Sequence, residues 1–142
     1  VLGSSALRLR ALLRRHAPYA HTVLNTAWRT GLASSLQAGL RVAPRGARAV
    51  LVMVVDQPNV DAAALRRLVD AWRRRPAVPA AAHYAGHAGV PAILPRRFWS
   101  TLYALDGDAG ARAVLREAAA LTLVAMPEAE FDVDTREDLA RL

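Results

Sequence analysis

Seven consecutive apolar residues, Ala49-Val50-Leu51-Val52-Met53-Val54-Val55, run directly into Asp56-Gln57-Pro58. A β-branched run of that length, stopped by a proline, predicts a strand with both faces covered. A parallel sheet flanked by helices supplies that setting. The run is far shorter than the roughly 18 apolar residues that cross a bilayer, and nothing longer occurs.

The segments around it read as alternating strands and helices. Residues 1–3 look like the end of a strand, with Ser4 or Ser5 capping a helix whose Leu9, Leu12, Leu13 and His16 share one face. A short strand over 22–24, a loop over 25–31, and a helix through Leu32, Leu36 and Leu40 follow, the last closed by Pro44 and Gly46. Beyond the apolar run, Asp61 opens a helix striped by Leu65, Leu68, Val69 and Trp72. Strands are predicted at 78–83, 90–94 and 121–125, and helices at 96–104 and 109–118; Thr135 with Asp138 has capping-box spacing for a last helix. No repeat or low-complexity linker divides the chain, so residues 1–142 read as one α/β three-layer sandwich.

Composition narrows the chemistry. With no cysteine, disulfides, thiolate zinc, iron–sulfur clusters and cysteine nucleophiles are excluded, which suits a reducing compartment. The net charge of +7 raises nucleic acid as a partner, most directly through the arginine-rich helix over 61–75. All 19 basic residues are arginine, however, and alanine occurs 31 times, the imprint of a GC-rich coding bias. The arginines are spread along the chain, and few aromatics are present to stack on bases.

In open α/β sheets, ligands bind beyond the carboxyl ends of the strands. Asp56 sits there and can hold Mg²⁺, which takes one or two protein carboxylates and completes its shell with phosphate and water; alternatively it caps the turn before Pro58. In Asp132-Val133-Asp134-Thr135 alternation puts the two carboxylates on one side. One can join Asp56 on a metal while the other caps the last helix. Gly86-His87-Ala88-Gly89 reads as a hairpin turn or a ligand loop. Gly107-Asp108-Ala109-Gly110-Ala111-Arg112 reads as a helix cap or an anion contact. His16, His21, His83 and His87 lack metal spacing and read as surface or core fillers, and there is no P-loop or dinucleotide fingerprint.

Taken in order, these pieces resemble one family. Asn25-x-x-Trp28-x-x-Gly31, Ser34-Ser35-Leu36-x-x-Gly39-Leu40, Asp56-Gln57-Pro58, Gly86-x-x-Gly89-x-Pro91, the segment Gly107 to Arg112, and Asp132-Val133-Asp134-Thr135-x-Glu137-Asp138-Leu139 resemble the molybdenum cofactor cytidylyltransferase branch of the MobA-like NTP transferases. The resemblance implies a Rossmann-like nucleotidyltransferase fold of the nucleotide-diphospho-sugar transferase type, with a mostly parallel sheet. It implies Mg²⁺-dependent transfer of CMP from CTP, or of GMP from GTP in the sister branch, to molybdopterin cofactor in the cytoplasm. A molybdoenzyme or its chaperone would be a partner.

By the same resemblance Asp56 is the catalytic residue and main metal ligand, completed by Asp132 or Asp134. Ser34, Ser35, Leu36 and Gln57 line the nucleotide pocket. Gly86, Gly89, Pro91, Gly107, Asp108, Gly110 and Arg112 lie on the acceptor side. Two departures stand out. The family's opening strand and lysine-bearing glycine-rich loop have no counterpart here, so the chain reads as about the C-terminal two-thirds of such a domain and as inactive by itself. The position before Pro91, histidine or arginine in the family, is Val90. The alternatives from other classes are a basic nucleic-acid-binding module and a non-catalytic docking domain.

Overall fold

The small side chains of Ala80, Ala81 and Ala82 are fully buried, and the centre of the fold is built around them. The computed structural model of the protein describes residues 1–140; the last two residues of the 1–142 reading lie outside the described residues. In chain order the elements are α1 (Ala6–His16), α2 (Leu32–Arg41), β1 (Ala49–Val52), α3 (Ala62–Arg74), β2 (Ala80–Tyr84), β3 (His87–Pro95), α4 (Trp99–Tyr103), α5 (Ala111–Glu117), β4 (Thr122–Ala125) and α6 (Arg136–Leu139). Short 3₁₀ turns lie at Trp28–Thr30, Arg96–Phe98 and Pro127–Ala129. No helix among the described residues is long and apolar enough to cross a membrane.

The chain forms two compact units. The first comprises Val1–Ala47 with Trp99–Gly110 and contains α1, α2 and α4. The expected strands at 1–3 and 22–24 reduce there to a single parallel bridge, Leu2 to Leu24. Ser5 does precede α1, but in a left-handed conformation (φ 54°) and without a side-chain cap bond. No residue of α1 is buried.

The second unit holds the sheet, in the order β1-β3-β2-β4. β1, β2 and β4 point one way and β3 the other, so three of four strands share a direction. Two of the three ladders are nonetheless antiparallel, because β3 lies between β1 and β2. The β2–β3 turn is Ala85-Gly86, both at positive φ (47° and 76°), as a two-residue type I′ hairpin requires. Glycine accommodates that conformation and alanine is strained by it. His87 thus already belongs to a strand. The register shifts between Ala81, opposite Ala92, and Ala82, opposite Gly89. The intervening Val90-Pro91 peptide is cis.

Alternation along β2 divides the core. Ala80, Ala82 and Tyr84 join Ile93, Met126 and Ala129 in one cluster under Ala64 and Leu68 of α3. Ala81, Ala92 and Leu94 are buried outside that cluster, and α5 packs against β3. Helix, sheet, helix is the expected layering. Asp61 starts α3 as a true N-cap, its Oδ1 accepting from the Ala64 amide at 2.7 Å.

The apolar run departs from its reading. Strand β1 ends at Val52, all four of its residues are only half-buried, and Val55 is 100% exposed. The cause is position: among the described residues β1 stands at the sheet edge with β3 as its only ladder partner. A sequence rich enough in apolar residues for a central strand here has one neighbour.

Leu68 has no exposed surface, so Leu68→Ala should destabilise the protein by about 2–5 kcal/mol. Asp61→Ala should cost about 0.5–2 kcal/mol through the lost cap. Chemical denaturation monitored by circular dichroism measures both.

Candidate functional site

Within the first unit, one buried amide organises the serines expected at the nucleotide pocket. Asn25 is 5% exposed; its Nδ2 donates to Ser34 Oγ at 2.8 Å and Ser35 Oγ at 3.0 Å, while its Oδ1 accepts from the Ala27 amide at 3.0 Å. Ser34 Oγ in turn lies 2.8 Å from the Gly31 carbonyl and 3.1 Å from the Ala27 carbonyl. With one hydroxyl proton, it donates to one of these while accepting from Asn25. The amide therefore sets which way both serines face. The sequence reading gave Asn25 no role of its own, although it opens the Asn25-x-x-Trp28-x-x-Gly31 pattern; a polar residue just ahead of a Ser-Ser helix start was the available signal.

The Gly107 loop meets the start of α2 in the same unit. The Ala33 amide donates to the Gly107 carbonyl at 3.0 Å, and Gln37 Nε2 donates to the carbonyls of Leu105 and Tyr103 at 2.9 and 3.2 Å. Gly31 (φ +113°) allows this approach, since a Cβ there would fall 2.2 Å from the Gly107 carbonyl carbon and oxygen. Gly110 likewise faces Leu32, where a Cβ would fall 2.7 Å from its Cδ2. Leu36 is half-buried and Asp108 exposed. The loop of Gly107 and Gly110 thus rests on the start of the helix that carries Ser34, Ser35 and Leu36, through Gly31, Leu32 and Ala33.

In the second unit the acidic residues gather after the strand ends. The Asp56 carbonyl accepts from the Val133 amide at 2.8 Å, setting the Asp56 turn against the segment Asp132-Val133-Asp134. Asp56 Oδ1 is buried without a hydrogen-bond partner, an arrangement that a carboxylate tolerates poorly unless a cation or water meets it. Asp132 and Asp134 are exposed. Capping of α6 falls to Thr135, which forms the full capping box with Asp138, so Asp134 is not the cap. No group of three or more histidine or acidic side chains that could share an ion occurs among the described residues. Asp56, Asp132 and Asp134 therefore do not form a three-carboxylate cluster. Asp56 with one further carboxylate matches the donor set that Mg²⁺ or Mn²⁺ takes when phosphate and water complete the shell.

Gln57 is turned inward. It is 5% exposed, its Nε2 donates to the Ala129 carbonyl at 2.7 Å and lies 3.4 Å from the Tyr84 hydroxyl, and its Oε1 is buried and unpartnered.

Around the β2–β3 hairpin, Arg112 Nη2 approaches His87 Nε2 at 2.9 Å, and His87 Nδ1 lies 3.0 Å from the Ala85 carbonyl. A carbonyl needs a donor at Nδ1 and a guanidinium needs an acceptor at Nε2, so this pairing requires the neutral Nδ1–H tautomer. His87 also packs edge-on to Tyr84, ring centroids 5.1 Å apart. Gly89 lies against Tyr84, where a Cβ would fall 2.5 Å from the hydroxyl. Pro91 is buried. Gly89 and Arg112 are thus linked through Tyr84 and through His87, which had read as filler.

Residues 3–122 match the MobA-like NTP transferase domain. No curated protein matches significantly. Among solved structures, the chain is similar to Rv0371c of Mycobacterium tuberculosis H37Rv, with 27% identity, 99% of this chain and 72% of that one covered, and a TM-score of 0.77. It is equally similar in sequence to the same protein in complex with manganese (27%, 99% and 74% covered, TM-score 0.73). For the Rv0371c homolog of Mycobacterium sp. strain JC1 the identity is 27% and the TM-score 0.64. There 78% of this chain is covered, and the chain spans 56% of that protein's length.

Two outcomes check this geometry. Asn25→Ala should lower stability by about 1–3 kcal/mol, the cost of leaving buried partners unpaired, in a denaturant titration. Imidazole nitrogen NMR should show His87 as the Nδ1–H tautomer, and Arg112→Ala should weaken that preference, leaving the Ala85 carbonyl alone to favour it.

Proposed function

Because the chain belongs to the MobA-like NTP transferase family, we propose that it serves a nucleotidyltransferase that moves CMP from CTP to molybdopterin cofactor. An oxygen of the acceptor's phosphate forms a bond to the α-phosphorus, the bond from that phosphorus to the bridging oxygen breaks, and pyrophosphate leaves. Little covalent work falls to the protein in such an in-line displacement, so positioning and charge neutralisation carry the rate.

A divalent ion, Mg²⁺ or Mn²⁺, supplies charge neutralisation on the phosphate oxygens when bound. Asp56 is its main protein ligand, with Asp132 or Asp134 as the second. One observation carries this assignment: Asp56 Oδ1 is buried without a partner while the Asp56 carbonyl is bonded to Val133, the residue between the other two carboxylates. The manganese complex of Rv0371c, to which the chain is similar, supports a divalent ion as the metal.

Ser34, Ser35 and Leu36 contact the nucleotide, with the serine hydroxyls aimed by Asn25. On the acceptor side, Arg112 offers its guanidinium to a phosphate, held in place by His87. Gly86, Gly89, Pro91, Gly107, Asp108 and Gly110 shape the loops that approach the acceptor, and their small or rigid side chains let backbone amides come close.

Turnover is measured on the chain together with any sequence encoded upstream of Val1, offering CTP and GTP in parallel with molybdopterin cofactor and Mg²⁺ or Mn²⁺. Pyrophosphate release with CTP and the acceptor is the expected result; release with GTP alone moves the assignment to guanylyl transfer, and release with neither overturns it. Asp56→Ala should lower metal-dependent turnover at least about 100-fold while the circular dichroism spectrum is unchanged. Unchanged turnover would put the metal elsewhere.

A further inference from the structure

The one buried amide beside the proposed metal ligand has its donor committed inside the fold. Gln57 Nε2 bonds the Ala129 carbonyl at 2.7 Å, across 72 positions of sequence. Its immediate neighbour, Asp56, accepts from the Val133 amide at 2.8 Å. Two successive residues of the turn after β1 are thus fastened to two points of the segment after β4. The start of that segment is also held by the Met126 amide on the His83 carbonyl and by the Arg67–Glu128 ion pair, and the two bonds to the Asp56 turn carry the attachment on to Val133. Asp132 lies between the two attachment points, and Asp134 lies one residue beyond the second.

Burial raises the stakes. An amide this deeply enclosed, against Tyr84 and Ala129, costs stability unless its donors are satisfied. The bond to Ala129 satisfies one of them, and the Tyr84 hydroxyl at 3.4 Å offers a weaker contact. An apolar residue of equal volume would fill the space without fastening anything.

We infer that Gln57 is a positioning residue: its amide locks the segment after β4 to the Asp56 turn, so that Asp56 and a carboxylate from that segment hold one divalent ion together. This rests on the metal-binding reading given above. It assigns Gln57 to support of the ion site, in place of the nucleotide contact that the resemblance implies.

The test is Mn²⁺ binding by the chain, followed by electron paramagnetic resonance at a temperature where every variant is folded by circular dichroism. The variants are Gln57→Met, which keeps the volume and removes the donor, Asp56→Asn, and Leu115→Ala as a buried change in α5, outside the core cluster that holds Ala129. Gln57→Met should weaken Mn²⁺ binding about tenfold, the low end for loss of an outer-shell partner, while Leu115→Ala keeps wild-type affinity. Wild-type affinity in Gln57→Met overturns the inference, and so does an equal loss in Leu115→Ala, which would mark general loosening. If the wild-type chain fails to bind Mn²⁺, or Asp56→Asn binds as tightly, the ion site itself is refuted and the inference falls with it.

A second measurement needs no variant. Linkage is reciprocal, so an ion that depends on the fastening must also tighten it. Saturating Mg²⁺ should slow hydrogen exchange of the Val133 amide in the wild-type chain severalfold. Unchanged exchange at saturation overturns the inference even if Gln57→Met does not fold.

Discussion

Close approach of alanine surfaces is the constraint on which the second unit depends. Ala64 of α3 and Ala80, Ala82 and Ala129 beneath it are fully buried. At these positions the side chains end at a methyl group, so helix and sheet meet there through small surfaces. Leu68, Met126 and Ile93 fill the space around them, and interiors packed to crystal-like density leave little room for adjustment. β2 in turn pairs with β4 in parallel register and with β3 in antiparallel register. The turns that carry Asp56 and Asp132 leave from this sheet, so their placement depends on how it packs. Alanine abundance, which the sequence alone ascribes to coding bias, is therefore also a packing solution.

Much of this was legible in the residues. Period and punctuation found α2, α3 and α5 and the β2–β3 pair, and capping chemistry placed Asp61 and Thr135 at helix starts. What escaped was governed by partners far away in sequence. The run 49–55 has the composition of a central strand, and composition carries no information on how many neighbours a strand has. The hairpin residues were displaced for a similar reason. Ala85 occupies a left-handed turn position that sequence patterns assign to glycine or asparagine, which moves His87 from the loop into the strand.

The site was legible to a different depth. Asp56 and the Asp132–Asp134 pair stand out because carboxylates following apolar strands are conspicuous. The amides are less plain: the resemblance puts Gln57 at the nucleotide and gives Asn25 no role, and both are 95% buried. Their work is to hold other groups, Ser34 and Ser35 in one unit and the acidic segment in the other. Residues that contact ligands advertise themselves by type, whereas residues that aim them are visible only through distances. The sequence offered Asp132 or Asp134 as the second carboxylate beside Asp56, and the structure shows no three-membered group among the described residues. A divalent ion with phosphate oxygens nearby needs no more than one or two.

The contact of Gly31 with Gly107 has a consequence of another kind. The carbonyl of one residue occupies the volume that a side chain on the other would need, and the Ala33 amide seals the joint. Nothing in it can rotate to a new rotamer, swap for a longer or shorter group, or be tuned by charge. Such a joint has no intermediate settings, so drift in the surrounding sequence cannot gradually remodel it. In a library of variants, position 31 would behave as a switch with one permitted letter, while the residues beside it varied freely.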